Sequence, residues 1–306
     1  MYVLINCSTF PNNVSPTGGP LDQLYIAISR DGGASFHTTL VSDISNGGTN
    51  PGTWGHVFNQ LAIDAAGNLY VGASGNLKGT DPVQTFLIRS LDNGTTWQPP
   101  INLNADTPAY ASVFPAIATG QSGQVAVGYY RVVNCRTSVN ANCKTSDYRN
   151  DGVTFQYFIW QTPNALLVNP EFAVTQVTSS VPHYNGICTD GLFCGTPLSS
   201  GGNRNLADFE SMTVDPTGNI ELIIPADPLN VLPTDSHPTV NWYFKETSGP
   251  LMPPGATNGN GTGNQTYVAA SLALPEVRWA ALLLVPGGLA AAVFISRRRR
   301  RGALLA

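Results

Sequence analysis

Charged residues are scarce in this chain of 306 residues, where they make up only 11% of the sequence. Of its 15 lysines and arginines, five form the single run Arg297–Arg301, so the remainder of the chain is acidic. An acidic surface repels phosphate groups, and the composition therefore argues against nucleic acid as a partner. Helical apolar periodicity is also missing before residue 270, which excludes a predominantly helical fold.

Several short signatures are absent as well. The sequence has no Asp-x-Asp-x-Asp cluster, as calcium loops use, and no Cys-x-x-Cys pair, as many zinc sites use. His56, His183 and His237 are spread widely along the chain, so we expect no metal site and no cofactor. The first residues are strand-like and lack the charged and apolar regions of a signal peptide.

Glycine and proline are abundant instead, with 31 and 23 residues. They separate short runs that are rich in apolar and β-branched residues, a pattern that predicts an all-β fold. The length allows one large β domain or two small ones.

Two eight-residue stretches, here called boxes, share the pattern Ser-x-Asp-x-Gly-x-(Ser/Thr)-aromatic. Each follows a strand-like run, so each predicts a tight turn between strands. The aspartate accepts hydrogen bonds from amides of its own turn, and the glycine supplies a backbone conformation that other residues resist. The aromatic ring is expected to fold under the turn and become buried. The box residues are Ser29, Asp31, Gly33 and Phe36, and Ser90, Asp92, Gly94 and Trp97.

A longer sequence repeat is also present, and it predicts a strand, a turn closed by glycine and another strand. It covers Asn59–Val71 and Phe209–Leu222 and, more loosely, Phe114–Val127. This longer repeat and the box alternate along the chain, which is the order expected if one of each encodes a four-stranded antiparallel sheet. The alternative is an unrelated β-sandwich with Asp-Gly hairpins.

The boxes resemble the Asp box (the bacterial neuraminidase repeat) of the sialidase-like β-propeller family. The resemblance covers residues 1–247 and implies about four blades of an incomplete ring, because sialidase propellers have six. The implied blades are the region from Met1 through the first box, residues 56–104, residues 112–178 with Thr162–Ala165 as a decayed box, and residues 206–247 without a box. We expect the missing blades and a signal peptide to precede this sequence in the full protein.

The C-terminal part has a different composition. Residues 248–274 are rich in Gly, Asn and Pro and predict a flexible linker. Residues 275–301 contain the uncharged span Trp279–Ile295 and then the arginine run, which predicts a transmembrane anchor with a basic cytoplasmic end, followed by a tail at 302–306. The alternative is a buried core helix. An anchored chain holds its N-terminal domain outside the cytoplasm, at the cell membrane.

The anchor also resembles prokaryotic surface-sorting tails, in which a motif with proline precedes an apolar span and basic residues. Leu274-Pro-Glu276 resembles both the Leu-Pro-x-Thr-Gly sortase signal and the Pro-Glu-Pro signal. Thr-Gly is missing from the first and the second proline from the other, which argues against cleavage and covalent attachment.

Four of the five cysteines form close pairs in polar loops, Cys135 with Cys143 and Cys188 with Cys194. In an exported domain this spacing predicts two local disulfides. A zinc site is the alternative, although no histidine lies at ligand spacing. Cys7 is left over, as a buried free thiol or as the partner of a thiol outside this chain.

The family resemblance also implies a site. Sialidases grip the substrate carboxylate with three arginines, attack with a tyrosine activated by a glutamate, and use an aspartate as acid. The catalytic candidates carried over are Tyr130, Arg204, Asp208 and Glu210, with the tyrosine as nucleophile, the glutamate as its base and the aspartate as acid. The candidates for substrate binding are Arg131, His183, Tyr184 and Asp190. The alternative for Arg204 and Asp208 is a structural ion pair.

Arginines are too few for a complete clamp. The Phe/Tyr-Arg-Ile-Pro motif is absent, Arg30 and Arg89 lie at the box turns, and Arg136 and Arg149 lie in or near the first cysteine loop. We therefore expect at most two of the remaining arginines to reach a common site.

These observations predict a cell-surface propeller that binds a glycan or glycoprotein. It is expected to be either a glycoside hydrolase of exo-α-sialidase type or a degenerate relative of one. The alternative is a non-catalytic adhesion or structural module. Enzymatic activity and oligomeric state stay open at this point.

Overall fold

The computed structural model describes residues 1–9, 21–55, 58–189, 194, 201–206 and 210–247, together with the backbone of residues 267–270. Regular structure in this part of the chain is β-strand apart from one 3-10 turn, Asn46–Gly48, so the all-β prediction is confirmed. Residues 1–270 form one compact unit. None of the helical structure described is long and apolar enough to cross a membrane; the predicted anchor lies outside the described residues.

The described strands form four antiparallel sheets that follow one another along the chain. Sheet 1 contains β1 (Tyr2–Cys7), β2 (Gln23–Ile28) and β3 (His37–Asp43). Sheet 2 contains β4 (Pro51–Thr53), β5 (Gln60–Ile63), β6 (Leu69–Lys78), β7 (Gln84–Ser90) and β8 (Ile101–Asn102). Sheet 3 contains β9 (Ser112–Thr119), β10 (Val125–Cys135), β11 (Val153–Thr162), β12 (Ala173–Gln176) and β13 (His183–Tyr184). Sheet 4 contains β14 (Ser211–Val214), β15 (Ile220–Ala226), β16 (Val240–Glu246) and β17 (Tyr267–Ala270).

Consecutive sheets share apolar cores. One cluster joins Ile26 of sheet 1 to Val71 of sheet 2, and a second joins Leu87 of sheet 2 to Val127 of sheet 3. A third fills the space between sheets 3 and 4. Central strands such as β10 are therefore buried on both faces, which explains why they read as continuous apolar runs and not as alternating ones.

The order of the strands is that of propeller blades. Most neighbouring strands of each sheet are consecutive in the chain and antiparallel; the exceptions are β4, which pairs with β6, and β13, which pairs with β11. β9, the first strand of sheet 3, lies beside β5 of sheet 2 and β14 of sheet 4. Sheet 4 also includes β17, which pairs with β16. β17 falls inside the predicted linker 248–274, and the compact unit includes it; the remaining linker residues before β17 lie outside the described part of the chain.

The two boxes occupy equivalent positions, because each follows the penultimate strand of its sheet and leads into the last. In both, the aspartate Oδ1 accepts hydrogen bonds from the preceding serine hydroxyl and from an amide four residues on, at 2.8 and 3.0 Å for Asp31 and at 2.9 and 2.8 Å for Asp92. The serine hydroxyl accepts a bond from the glycine amide at 2.7 Å for Gly33 and 2.8 Å for Gly94. The predicted turn chemistry is thus present in both copies.

The aromatic residues of the boxes differ from each other. Trp97 is partly buried against the core between sheets 1 and 2. Phe36 is 47% exposed, so the prediction that both aromatic residues are buried is wrong for the first box. The second box packs against Ile28 of the neighbouring sheet, whereas the described residues place no such sheet over Phe36.

This difference predicts unequal effects of the same substitution in the two turns. Gly33 and Gly94 both have positive φ, +98° and +85°, so alanine strains either backbone by about 1–2 kcal/mol. A Cβ at Gly94 would also lie 2.7 Å from Ile28 Cδ1, while one at Gly33 would meet only the flexible Met1 side chain at 3.6 Å. We expect Gly94→Ala to cost about 1–3 kcal/mol more than Gly33→Ala in urea denaturation. Equal losses of stability in the two variants would show that backbone strain in the turn alone accounts for the effect.

Candidate functional site

The two edges of the sheets carry different connections. One edge has the boxes, the short turns 64–68, 120–124 and 215–219, and the longer connection 163–172. The opposite edge, here called the loop edge, has the longer connections 103–111, 136–152, 177–189, 201–206 and 227–239. Main-chain hydrogen bonds join these connections, for example from Asp227 N to Pro182 O and from Ile187 N to Tyr148 O, both within 3.0 Å. The loop edge is therefore one continuous surface.

Both predicted disulfides lie at the loop edge and are confirmed. Cys135 is bonded to Cys143 and Cys188 to Cys194, with Cα atoms 5.8 Å apart in each pair. Cys7 is a free, half-buried thiol. The disulfides close two of the longest connections, which limits the conformations these loops can adopt.

Two tyrosine side chains and one glutamate meet beneath the loop edge. Tyr130 on β10 and Tyr157 on β11 are fully buried with ring centroids 4.8 Å apart, and Glu210 is buried just before β14. Burial raises the pKa of both phenols well above the ordinary value, and the charge of Glu210 raises both further. Tyr130 and Glu210, both named from the sequence as catalytic candidates, lie in this group, whereas Tyr157 was not named; their catalytic roles stay a prediction.

The Tyr130 hydroxyl is already engaged. It donates a hydrogen bond to the main-chain oxygen of Pro225, and burial raises its pKa, which makes loss of the phenol proton less favourable. A tyrosine nucleophile needs an accessible oxygen that can lose its proton. In this conformation Tyr130 has neither property.

Strained backbone lies next to these phenols. Phe58 and Phe114 have positive φ values of 74° and 57°, which bulky residues rarely adopt. Their rings are 5.4 Å apart, and the Phe114 ring contacts that of Tyr130 at 6.4 Å. Such strain persists only where the surrounding packing enforces it, and it is concentrated at functional regions.

His183 forms a buried pair with Asp227. His183 Nδ1 lies 2.5 Å from Asp227 Oδ1, and both side chains are inaccessible to solvent. Asn230 donates to the other carboxylate oxygen at 3.1 Å, and the His183 ring packs against Phe155. The pair joins sheet 3 to the connection between β15 and β16. His183 was predicted to bind substrate; here its ring is held inside the protein.

Arg131 makes contacts away from the phenols. Its guanidinium stacks over the Phe158 ring at 3.6 Å and forms an ion pair with Asp106 at 3.1 Å. Only 10% of its side chain is exposed. The structure therefore does not bring Arg131 together with Tyr130 and Glu210.

Arg136 and Tyr184 form a half-buried group at the loop edge. The Arg136 guanidinium lies 4.8 Å from the centre of the Tyr184 ring. Its Nη2 donates to Asn185 Oδ1 at 2.9 Å and its Nε to Gly152 O at 3.3 Å. Asn185 is buried with a φ of +69°. Sequence reasoning named Tyr184 but set Arg136 aside. The one signal for Arg136 in the sequence is its position next to Cys135.

Arg149 and Arg204 lie on the same surface. Arg149 is over the Tyr148 ring at 5.4 Å and its Nε is 3.4 Å from Asp147 Oδ1. Arg204 is exposed and follows Asn203, which pairs with Ile187. The predicted residues Asp190 and Asp208 lie outside the described residues. Among the residues that are described, no group of three or more His, Cys, Asp or Glu side chains is placed to hold a metal ion.

Comparison with known proteins gives structural likeness only. No family model matches the chain, and no curated protein matches it. Solved structures that resemble it include an α-L-arabinanase of Penicillium chrysogenum complexed with arabinobiose (12% identity, TM-score 0.35, 80% of this chain and 54% of that chain). Another is the GH93 α-L-arabinofuranosidase of Fusarium graminearum with arabinobiose (12% identity, TM-score 0.41, 81% and 58%).

A third is an ulvan lyase of polysaccharide lyase family PL25 (15% identity, TM-score 0.39, 83% of this chain and 50% of that chain). The chain spans between 50% and 58% of the length of these three structures. At these similarities the comparisons assign no family, and the chain is identified as an all-β protein of consecutive, blade-like antiparallel sheets.

Proposed function

We propose that this chain is a carbohydrate-binding domain of propeller type, with its ligand site at the loop edge. The observation that carries the proposal is the half-buried Tyr184 ring, held beside Arg136 on a surface closed by two disulfides. The C–H face of a sugar packs on an aromatic ring, while its hydroxyls need donors and acceptors fixed around that ring. Arg136 supplies a fixed polar group at that position, because the buried Asn185 accepts a hydrogen bond from its guanidinium.

We further propose that the domain does not hydrolyse glycans by the sialidase mechanism. The contacts of Tyr130 with Pro225 O and of Arg131 with Asp106 support this, because they remove the nucleophile and one arginine from the reaction. The membrane-anchored, cell-surface location expected from residues 275–301 is retained as part of the proposal. The opposing candidate, hydrolysis, is supported by Glu210 alone, whose charge lies near two phenols.

Binding is tested with Tyr184→Ala. The full chain is titrated with a panel of soluble polysaccharides in affinity electrophoresis, and we expect the variant to lose at least tenfold in affinity for any polysaccharide that binds. Tyr243→Ala is the matched control, because Tyr243 is also partly exposed but lies on β16, away from the loop edge. Equal affinities of Tyr184→Ala and the unmodified chain would contradict the proposed site.

Turnover is tested separately. Incubating the full chain with a fluorogenic sialoside is expected to release no more fluorophore than buffer does. Glu210→Gln removes the carboxylate charge beside the phenols with little change in volume. Release by the unmodified chain that Glu210→Gln abolishes would overturn the proposal in favour of a hydrolase.

A further inference from the structure

Two arginines at the loop edge are each stacked on a tyrosine ring. Arg136 lies over Tyr184 at 4.8 Å and Arg149 over Tyr148 at 5.4 Å. Stacking holds the flat guanidinium in a fixed plane, so that less conformational entropy is lost when its edge binds an anion. Both residues were set aside in the sequence analysis because they lie in or near the first cysteine loop.

The Arg136 side chain and the Arg149 main chain both contact one short segment, Asn185–Gly186. Arg136 Nη2 bonds to Asn185 Oδ1 at 2.9 Å, and the Arg149 main chain packs against Gly186 so closely that a Cβ there would be 2.1 Å from Arg149 O. Asn185 also receives a bond from Gly152 N at 3.1 Å. The segment therefore links the Arg136 side chain to the backbone from which the Arg149 side chain extends.

Both guanidiniums keep donors for a ligand. Arg136 uses Nε and Nη2 in the bonds to Gly152 and Asn185. Arg149 uses only Nε, toward Asp147, and its side chain is 35% exposed. Within the described residues, Nη1 of Arg136 and both terminal nitrogens of Arg149 form no hydrogen bond.

The local charge contrasts with that of the whole chain. The loop 136–152 carries Arg136, Lys144 and Arg149 against Asp147 and Asp151, and the exposed Arg204 lies on the adjoining segment. The whole chain has a formal charge of −4 even with the five tail arginines. A positive area on an otherwise acidic protein draws anionic ligands to that area and repels them elsewhere.

We propose that Arg136 and Arg149 form a subsite for the carboxylate or sulfate groups of an acidic polysaccharide. This inference rests on the proposed carbohydrate-binding function and names the class of its ligand. Planar carboxylates and tetrahedral sulfates both accept paired N–H bonds from a guanidinium fork, which the hydroxyls of a neutral sugar match less well.

The test measures binding of the full chain to four polymers by affinity electrophoresis or calorimetry. Polygalacturonate presents carboxylates, dextran sulfate presents sulfates, dextran is a neutral polysaccharide, and poly-glutamate is an anion without sugar. We expect at least tenfold tighter binding to one of the acidic polysaccharides than to dextran and poly-glutamate, with an affinity that falls as salt is added. Which of the two binds identifies the anionic group.

Arg149→Gln is the decisive variant, because it removes the charge at a partly exposed side chain with few internal bonds. We expect it to lower the affinity for the acidic polysaccharide about tenfold and to leave the melting temperature and any dextran binding unchanged. Arg149→Lys should recover only part of the loss, since it restores the charge without the fork. Arg30→Gln, an exposed arginine in the first box, is the control and should change nothing.

Each failure has its own meaning. Tight binding of a neutral polysaccharide that Arg149→Gln leaves unchanged would overturn the acidic subsite and keep the proposed function. Equal binding of poly-glutamate and the acidic polysaccharides would also overturn it, in favour of simple charge attraction. Binding of none of the polysaccharides would overturn both proposals.

Discussion

Asp227→Ala is expected to destabilise the β domain by about 3–5 kcal/mol, because it leaves the buried His183 ring without its partner. The two side chains are completely inaccessible to solvent and lie 2.5 Å apart. Asn230 would lose its carboxylate acceptor as well. For a domain of this size the cost corresponds to a fall in melting temperature of about 10 °C, which thermal unfolding followed by circular dichroism would detect.

The matched control lies in the same connection between β15 and β16. The Asp235 carboxylate accepts a bond from Leu232 N at 2.8 Å but is solvent-accessible, so Asp235→Ala should cost less than about 1 kcal/mol. A second comparison replaces both partners, since His183→Leu with Asp227→Leu removes the two polar groups together and should be less damaging than Asp227→Leu alone. Similar melting temperatures for Asp227→Ala and Asp235→Ala would show that the buried pair adds nothing to stability.

Asp64→Ala is expected to lower the free energy of unfolding by about 3–4 kcal/mol, because the carboxylate accepts hydrogen bonds from residues of two sheets. It closes its own turn through Asn68 and accepts bonds from the buried Tyr70 hydroxyl at 2.9 Å and from Gly123 N of sheet 3 at 2.8 Å. Asp215 holds the equivalent turn in sheet 4, and among the described residues its partners, Thr217, Asn219 and Lys245, all belong to that sheet. Asp215→Ala should therefore cost less in urea denaturation, and the reverse order would contradict this reasoning.

Asp64 also predicts a pH dependence. Burial raises the pKa of its carboxyl, but the hydrogen bonds from Gly123, Asn68 and Tyr70 outweigh burial, and the pKa lies below its ordinary value. Its contribution is therefore present above the unfolded pKa of about 4 and is lost as the pH falls through the lower folded value. In acid titrations of stability, Asp64→Asn should show a shallower decline below about pH 4 than the unmodified chain. Parallel curves would refute the assignment.

Local chemistry in the sequence determined the turns. The hydrogen bonds of Asp31, Asp92, Asp64 and Asp215 run largely to residues within six positions, so the residue pattern alone specifies them. The disulfides were predictable for the same reason, because their cysteines are separated by only eight and six residues. The alternation of turn types also specified an order of strands from which successive antiparallel sheets could be predicted.

The tertiary structure decided which polar groups are buried and with whom they pair. Arg89 lies at a box turn in the sequence, yet it is only 4% exposed and donates to the main-chain oxygens of Ala165 and Leu167 in the neighbouring sheet. His183 meets Asp227 across 44 positions, and Arg136 reaches Asn185 across 49. Such partners depend on how sheets pack face to face, since no local pattern encodes which side chains two distant loops bring together.

The candidate site shows the same division. Sequence reasoning named Tyr130, Glu210 and Tyr184 from their positions before or within strands, and all three lie at or beneath the loop edge. It could not foresee that Arg131 turns toward Asp106 or that Arg136 stacks on Tyr184. A side chain's direction is fixed by its neighbours on the next strand and the next sheet, and those neighbours are set only when the chain has folded.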